Sequence, residues 1–252
     1  MTAPFGRRPV IVDRRRVIGP YVVLGTRDEL ARASPGQFYM LAAAERWGGG
    51  ERERPFLARA VSVMRAGADG VTEFLLEDVG PGTKLLCELE PGDAMLVVGP
   101  LGHGFSEPQP GTLLVGGGIG IAPLLAVAET WGGTALLGFR DADHAAAAAL
   151  FDEPVVATDD GSVGHHGLIT DVLDRQLERF PRPIYACGPP EMLAAILDRV
   201  RRHAVPSEFS VEAPMACGFG ACYGCVVATI DGYRRVCLDG PVFDAATLAT
   251  LA

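Results

Sequence analysis

The sequence predicts a multidomain protein of the β and α/β classes, with an antiparallel β-barrel, then a parallel-sheet domain, then a small C-terminal domain. Three observations predict this fold class. Short apolar runs separated by turn residues fill the first part of the chain, strand and helix patterns alternate from Gly111, and a cysteine-rich tail follows Pro206. The predicted domains span residues 1–107, 108–206 and 207–252.

The first domain shows the pattern of a small barrel. Its apolar and β-branched runs are separated by turn clusters such as Gly80-Pro81-Gly82 and Pro91-Gly92-Asp93, which is typical of consecutive short strands. About six strands at this spacing favour an antiparallel barrel, and residues 47–54 are interpreted as an exposed, mobile loop. The predicted strands are 10–12, 21–24, 38–42, 60–64, 72–76 and 94–98.

The second domain alternates strands with helices. This alternation implies a parallel sheet with helices on both faces. The predicted strands are 112–115, 135–139, 155–158 and 184–187, and the predicted helices are 123–130, 142–151, 168–179 and 191–203.

Two glycine-rich turns in this domain predict a nucleotide site. Gly116-Gly117-Gly118-Ile119-Gly120 stands where a strand ends and a helix begins, and outward-pointing N–H groups at a helix N-terminus suit a pyrophosphate. One such turn is weak evidence, because glycine also serves close packing. Cys187-Gly188-Pro189 repeats the arrangement at a later strand, and two such turns at one sheet edge form the walls of a ligand crevice.

The tail carries Cys217, Cys222, Cys225 and Cys237 in a C-x4-C-x2-C-x11-C pattern. Three closely spaced cysteines with a later fourth are the plant-type spacing for a [2Fe–2S] cluster. A structural zinc site also uses four cysteines, usually as paired C-x2-C units, and only one such pair is present. The spacing favours iron–sulfur and leaves open a nucleotide-binding regulator that holds zinc. Gly218, Gly220 and Gly224 are expected to let the loop curl around sulfur.

Composition excludes several classes of protein. The net charge of -9 and the pI near 5.0 argue against nucleic-acid binding. Six cysteines in 252 residues are too few for a secreted disulfide scaffold. The N-terminus lacks the apolar segment of a signal peptide, and no apolar run is long enough to span a membrane. We therefore expect a cytoplasmic protein without a membrane partner.

The barrel carries a candidate flavin motif. Arg59-Ala60-Val61-Ser62 offers a guanidinium suited to a diphosphate and a hydroxyl suited to a flavin ring nitrogen. Alone, this pattern is also typical of a surface arginine beside a strand serine. Gly80-Pro81-Gly82-Thr83 is a turn whose free N–H groups can form an anion nest.

In combination, these motifs resemble the ferredoxin-reductase superfamily of flavoproteins. The resemblance rests on the order R-x-x-S, G-x-G-T, PLGHGF, GGGIGIAP and CGPPEM. The tail EAPMACGFGACYGC, with RVCLDGPVF after it, is similar to that of the electron-transfer subunits of NAD-dependent (class 1B) dihydroorotate dehydrogenases. Ala60 and Val61 stand where that family usually has proline and a larger side chain, and His103 replaces its usual asparagine. We interpret these departures as retuned flavin packing.

The resemblance implies an electron path in pyrimidine (UMP) biosynthesis. A separate FMN-bearing catalytic subunit, in an assembly of two copies of each chain, oxidises dihydroorotate. Electrons then pass through the [2Fe–2S] cluster and FAD to NAD+. No catalytic residue for dihydroorotate is implied on this chain. The implied FAD contacts are Arg59, Ala60, Val61, Ser62, Leu75, Leu76, Glu77, Gly82 and Thr83; the implied NAD contacts are Gly116, Gly117, Gly118, Gly120, Cys187, Gly188 and Pro189; and the implied cluster ligands are Cys217, Cys222, Cys225 and Cys237.

Two questions stay open at this point. A related reductase subunit, serving a hydrogenase or a ferredoxin:NADP transhydrogenase, fits the same motifs. Arg140, just after the second strand of the nucleotide domain, favours the 2′-phosphate of NADP, whereas the neighbouring Asp141 and Asp143 oppose it by charge.

Overall fold

The structure is a computed structural model that describes residues 6–27, 32–45, 47, 55–67 and 69–250. The predicted fold class is confirmed, since a closed barrel precedes a parallel-rich sheet and a small cysteine-bearing region. Residues 48–54, most of the predicted exposed loop, lie outside the described residues.

All six predicted barrel strands are present. They pair antiparallel in the order β1-β2-β5-β4-β3-β6, and β6 returns to β1 to close the barrel. Apolar side chains fill the interior, including Tyr39 and Phe74, whose rings meet edge to face with centroids 5.4 Å apart. The strands are β1 (Arg8–Ile18), β2 (Tyr21–Arg27), β3 (Phe38–Ala43), β4 (Arg59–Ala66), β5 (Val71–Glu77) and β6 (Ala94–Leu101).

A short helix, α1 (Pro81–Cys87), lies between β5 and β6. The sequence predicted only a turn at Gly80-Pro81-Gly82. Proline at the first helical position is compatible with a helix start because its missing N–H has no intrahelical partner there. Cys87, expected in the core, is buried at the end of this helix.

The second region is a seven-stranded sheet in the order β10-β9-β8-β7-β11-β12-β15. Every neighbouring pair is parallel except β12 with β15. The four predicted strands are its centre, while β10, β12 and β15 were not predicted. The strands are β7 (Leu113–Gly117), β8 (Thr134–Phe139), β9 (Val155–Thr158), β10 (His165–His166), β11 (Ile184–Cys187), β12 (Ser207–Ser210) and β15 (Val242–Asp244).

Helices cover both faces of this sheet, as the alternating pattern predicted. Leu113 and Val115 of β7 point to one apolar cluster and Leu114 points to the other, which explains the unbroken apolar run of a strand buried on both faces. The helices are α2 (Ile121–Trp131), α3 (Ala142–Ala145), α4 (Ile169–Arg179) and α5 (Pro190–His203), with single 3-10 turns at Gly118–Gly120 before α2 and Ala146–Leu150 after α3.

The tail is anchored on both larger regions. It forms a hairpin of β13 (Val226–Thr229) and β14 (Gly232–Arg235), then α6 (Val236–Asp239) and a 3-10 turn at Ala245–Thr247. The N–H of His103, in the turn after β6, donates to the carbonyl of Gly240 at 2.6 Å. The strands β12 and β15 complete the large sheet, so part of predicted domain 207–252 is a sheet edge.

None of the helices in the described part of the chain combines the length and the apolar character that spanning a lipid bilayer requires.

Candidate functional site

The two glycine-rich turns lie against each other at one edge of the sheet. Strands β7 and β11 are adjacent and parallel, with Gly116 paired to Cys187. A Cβ atom on Gly120 would lie 2.6 Å from the Cα of Gly188 and 2.7 Å from the carbonyl oxygen of Cys187. Any side chain at Gly120 would therefore push the two turns apart, so glycine is required here by close backbone approach.

A cavity of about 770 Å³ opens at these turns. We call it the nucleotide crevice. Its central wall is the turn between β7 and α2, whose helix N-terminus and backbone N–H groups suit a diphosphate. The lining residues include five predicted for NAD, namely Gly117, Gly118, Gly120, Gly188 and Pro189.

The other two predicted NAD residues lie behind this wall. A Cβ on Gly116 would meet Ile121, Leu124 and Leu137 at 3.0–3.3 Å, so this residue allows the strand to pack. The Cys187 side chain is fully buried, and burial raises the pKa of its thiol above the usual value. Its thiol is thus neutral and apolar in character, and its contribution to the crevice is the backbone that meets Gly120.

One end of the crevice is a charged cluster that joins the barrel to the sheet. Nη2 of Arg140, after β8, lies 3.2 Å from Oε1 of Glu77, at the end of β5. His144 contacts the same Glu77 oxygen at 3.4 Å, and its Nδ1 lies 2.6 Å from Oδ1 of Asp141. Sequence reasoning weighed Arg140 and Asp141 but missed this link to Glu77, whose implied role was in FAD binding.

Glu212 lines the other end of the crevice and was not predicted as a site residue. Glu212 is solvent-exposed by surface area, and desolvation of its carboxyl group raises its pKa. It lies just beyond the carboxyl end of β12, where ligands of parallel sheets bind, and it was missed because the sequence did not predict this strand.

The predicted flavin motif lies on a partly open strand edge. Within the described residues, Arg59–Ser62 of β4 pair with β3 only, whereas β5 pairs with the later part of β4 from Val63. Ala60 is exposed, and Val61 and Ser62 are half-buried. This segment therefore leaves backbone groups and the Ser62 hydroxyl available to a planar ring.

Arg59 and Gly82, the implied contacts of the FAD diphosphate, lie side by side. A Cβ on Gly82 would lie within 2.5–2.6 Å of the Arg59 guanidinium, so the guanidinium rests directly on the start of α1. It also lies over the Trp47 ring, 5.7 Å from the centroid. A guanidinium beside backbone N–H groups at a helix start suits a diphosphate.

The side chains of three further implied FAD residues, Leu75, Leu76 and Thr83, are engaged within the protein. Leu75 and Leu76 have buried side chains that belong to the apolar clusters. The Thr83 hydroxyl accepts from the N–H of Val79 and donates to the carbonyl of Gly80, both at 3.0 Å. Thr83 therefore fixes the turn at the start of α1.

The four cysteines of the tail are free and lie as two pairs. Cys222 lies beside the thiol of Cys217, and the N–H of Cys237 donates to Sγ of Cys225 at 3.4 Å. Within the described residues, no three Cys, His, Asp or Glu side chains converge on one point as ligands of a single metal ion would. Two thiol pairs fit a dinuclear iron cluster, with two cysteines for each iron, better than one tetrahedral zinc ion.

Backbone N–H groups surround these sulfurs. Burial raises the pKa of Cys217, but N–H groups of Phe219, Ala221 and Cys222 outweigh it, so the pKa falls to about 6. The N–H of Gly220 donates to Sγ of Cys237 at 3.1 Å. Such donors favour the thiolate, the form that binds iron; at Cys237, however, burial and the neighbouring Cys225 outweigh the donor and raise the pKa to about 12.

The prediction that three glycines let the cysteine loop curl is correct for two of them. Gly218 and Gly220 have φ values of +80° and +87°, but Gly224 does not have a positive φ; its neighbour Tyr223 does, at +56°. The Arg235 guanidinium lies 4.6 Å from the centroid of the Tyr223 ring and donates to the carbonyl of Gly220 at 3.0 Å. Arg235 thus holds the loop in place.

Fold and site together define a class of protein. An open flavin-type strand edge, a nucleotide crevice and a cysteine-paired loop in one chain are the parts of a flavin-dependent reductase of the ferredoxin-reductase type. A solved NADH-dependent reduced ferredoxin–NADP oxidoreductase has this fold, with a TM-score of 0.80 and 28% identity over 96% of this chain and 90% of that chain.

The curated relatives give the particular family. Residues 212–249 match the iron–sulfur cluster binding domain of dihydroorotate dehydrogenase B. The chain is 40% identical to the dihydroorotate dehydrogenase B (NAD(+)) electron transfer subunit of Geobacillus thermodenitrificans, over 84% of this chain and 85% of that protein. It is 37% identical to the Bacillus caldolyticus subunit, over 95% and 97%. The chain belongs to this family of electron-transfer subunits.

Proposed function

We propose that this chain carries electrons from a separate FMN-containing subunit, which oxidises dihydroorotate to orotate, to NAD+. One observation carries the proposal. Val226, Val227 and Ala228, which follow the cluster ligand candidate Cys225 directly, line the nucleotide crevice. The cysteine loop and the crevice therefore share a wall, which suits a chain in which electrons pass from the cluster to FAD and then to NAD+.

Different residues of the chain bind FAD, NAD and the cluster. Arg59 and Gly82 hold the FAD diphosphate, Ser62 and the edge of β4 hold its ring, and the turn at Gly118–Gly120 holds the NAD diphosphate. The two thiol pairs hold the [2Fe–2S] cluster. FAD, when bound, supplies the exchange between single electrons and a hydride.

An apolar surface beside the cysteine loop is proposed to dock the FMN subunit. Phe219 and Tyr223 of the cysteine loop and Tyr233 of the following hairpin are 50%, 65% and 78% exposed, and Cys222 of the same loop is exposed as well. Large aromatic groups exposed together are typical of interaction sites. An FMN subunit on this surface would lie next to the cluster, and we propose two copies of each chain per assembly, in the cytoplasm, where reduced thiols suit the cluster.

NAD is favoured over NADP by the charges around Arg140. A 2′-phosphate would need the Arg140 guanidinium, but the carboxylates of Glu77 and Asp141 already pair with it, and His144 contacts it. Its positive charge is therefore largely offset before a nucleotide binds. This supports NAD+ as the electron acceptor.

The test is NAD+-dependent orotate formation from dihydroorotate. The chain alone should show flavin and iron–sulfur absorption bands but form no orotate, and its complex with the catalytic subunit should form orotate. A coloured complex that forms no orotate, but reduces NADP+ with reduced ferredoxin, would instead assign the chain to a transhydrogenase-type reductase.

A further inference from the structure

Tyr21 carries a buried hydroxyl group for which the structure shows no protein partner. The residue begins β2 of the barrel and is 0% exposed. Its hydroxyl makes no hydrogen bond. Among the described residues, four have a buried polar side-chain atom without a hydrogen-bond partner, and of these four only Tyr21 lines the nucleotide crevice. A buried hydroxyl without a partner is destabilising, so its retention in the apolar interior calls for a ligand.

The hydroxyl points at the glycine turn of the crevice. It lies 4.0 Å from the position that a Cβ on Gly118 would occupy. The ring is fixed from the side by His144, which it meets edge to face with centroids 5.7 Å apart. The barrel thus presents Tyr21 to the same turn whose N–H groups face the crevice from the sheet.

The groups around the Tyr21 hydroxyl indicate which kind of ligand atom can bond to it. Burial, and next the nearby Glu77, raise the pKa of Tyr21 above its usual value, so the hydroxyl stays protonated and can donate. Glu77 makes no hydrogen bond with it and is instead engaged by Arg140 and His144. The missing partner is therefore an acceptor supplied from the crevice.

We infer that Tyr21 donates a hydrogen bond to an oxygen of the diphosphate–ribose part of the dinucleotide bound in the crevice. The inference rests on the proposed function, which puts a nicotinamide dinucleotide there. Tyr21 then closes the site from the barrel side, opposite the N–H groups of the Gly118–Gly120 turn. Dinucleotide binding would thus require the barrel and the sheet to be docked together.

The experiment compares Tyr21→Phe with the wild type in the FAD-loaded chain. Calorimetry measures the affinity for ADP-ribose, which has the diphosphate and both riboses but no nicotinamide. We expect binding to weaken about tenfold, or about 1.4 kcal/mol, for the loss of one such hydrogen bond. The melting temperature without nucleotide should stay unchanged or rise, because an unsatisfied buried hydroxyl is removed.

Tyr185→Phe is the matched control. The Tyr185 hydroxyl is bonded to Ser106, with its oxygen 2.9 Å from Oγ and 3.2 Å from the carbonyl, away from the crevice. Its loss should lower the melting temperature and leave ADP-ribose affinity unchanged. Tyr21→Phe should therefore change ADP-ribose affinity without lowering the melting temperature, and Tyr185→Phe should do the reverse.

Three outcomes would overturn the inference. Unchanged ADP-ribose affinity in Tyr21→Phe, with normal binding by the wild type, would refute the role of Tyr21 alone. Loss of FAD from the variant, measured by flavin absorbance after desalting, with unchanged ADP-ribose binding would move the acceptor to the flavin nucleotide. Failure of the wild type to bind ADP-ribose would overturn the proposed crevice function and, with it, this inference.

Discussion

The nucleotide crevice and the cysteine loop use different parts of the chain to build a site. The crevice is formed largely by backbone, and Gly120 and Gly188 meet so closely that a single Cβ does not fit between them. The cysteine loop is formed by side chains, with Cys222 exposed and Cys225 and Cys237 buried. The first site depends on shape and the second on the chemistry of sulfur.

This difference decides which substitutions each site tolerates. A glycine in the crevice can be replaced only if the two turns move apart, so the damage is steric and affects both stability and nucleotide binding. An exposed cysteine in the loop can be replaced with little change in packing, so the damage is confined to the metal cluster.

The largest effect is expected from Cys222→Ser. Because Cys222 is exposed, the fold should be retained, while weakened iron ligation should abolish electron transfer from the catalytic subunit. Reduction of an artificial two-electron acceptor by NADH should continue, since the crevice and the flavin site are untouched. The measurements are iron content, orotate formation in the complex and NADH oxidation by the chain.

Cys87→Ala is the control for this prediction, because Cys87 is buried in the barrel core and belongs to neither thiol pair. It should keep its iron and its electron transfer. An equal loss of both activities in Cys222→Ser would contradict the separation of the two sites.

A smaller effect is expected from Gly120→Ala. Gly120 has an ordinary φ of -63°, so the new methyl group causes no backbone strain, but it collides with Cys187 and Gly188. Overpacking of this kind costs about 1–3 kcal/mol of unfolding free energy, and displacement of the turn should weaken ADP-ribose binding at least about tenfold. Denaturant unfolding and calorimetry measure the two effects.

Gly132→Ala provides the opposite case. Gly132 has a φ of +87° and no heavy atom within 4 Å of its Cβ position, so the substitution introduces strain without collision. With a ψ of -172°, this conformation is almost exclusive to glycine, so the substitution should lower stability by about 1–3 kcal/mol and leave nucleotide affinity unchanged. Weak ADP-ribose binding by both variants would show that general destabilisation, and not the contact of the two turns, controls the crevice.

The sequence predicted features that depend on local patterns. Strand periodicity found the six barrel strands and the four central strands of the sheet, and the two glycine turns located the crevice. Their local signals agree with the final fold, because a strand–turn–helix unit has the same geometry wherever it packs.

Features that depend on distant packing were missed. The three-residue strand β15 has too little periodicity to be predicted, and it forms because the tail returns to pair with β12. Helix α1 was missed because Gly and Pro at its start also indicate turns. Tyr21 and Glu77 belong to barrel strands, and only the docking of the barrel on the sheet brings them to the crevice.

The smallest effect is expected from Glu77→Gln, which tests the charged end of the crevice. The amide keeps the size of the side chain but removes the negative charge 3.2 Å from Arg140. Because Arg140 is largely exposed to solvent and still has Asp141 nearby, the gain for a 2′-phosphate should be modest, about threefold to tenfold in the NADPH-to-NADH ratio of kcat/KM. FAD content is measured alongside, since Glu77 is also an implied flavin contact.

Glu90→Gln is the control for this prediction. Glu90 forms an exposed ion pair with Arg15, so the substitution removes the same charge elsewhere and should leave the NADPH-to-NADH ratio unchanged. An unchanged ratio in Glu77→Gln, with full FAD content, would mean that Asp141 alone offsets the charge of Arg140 and that the barrel has no part in choosing the nucleotide.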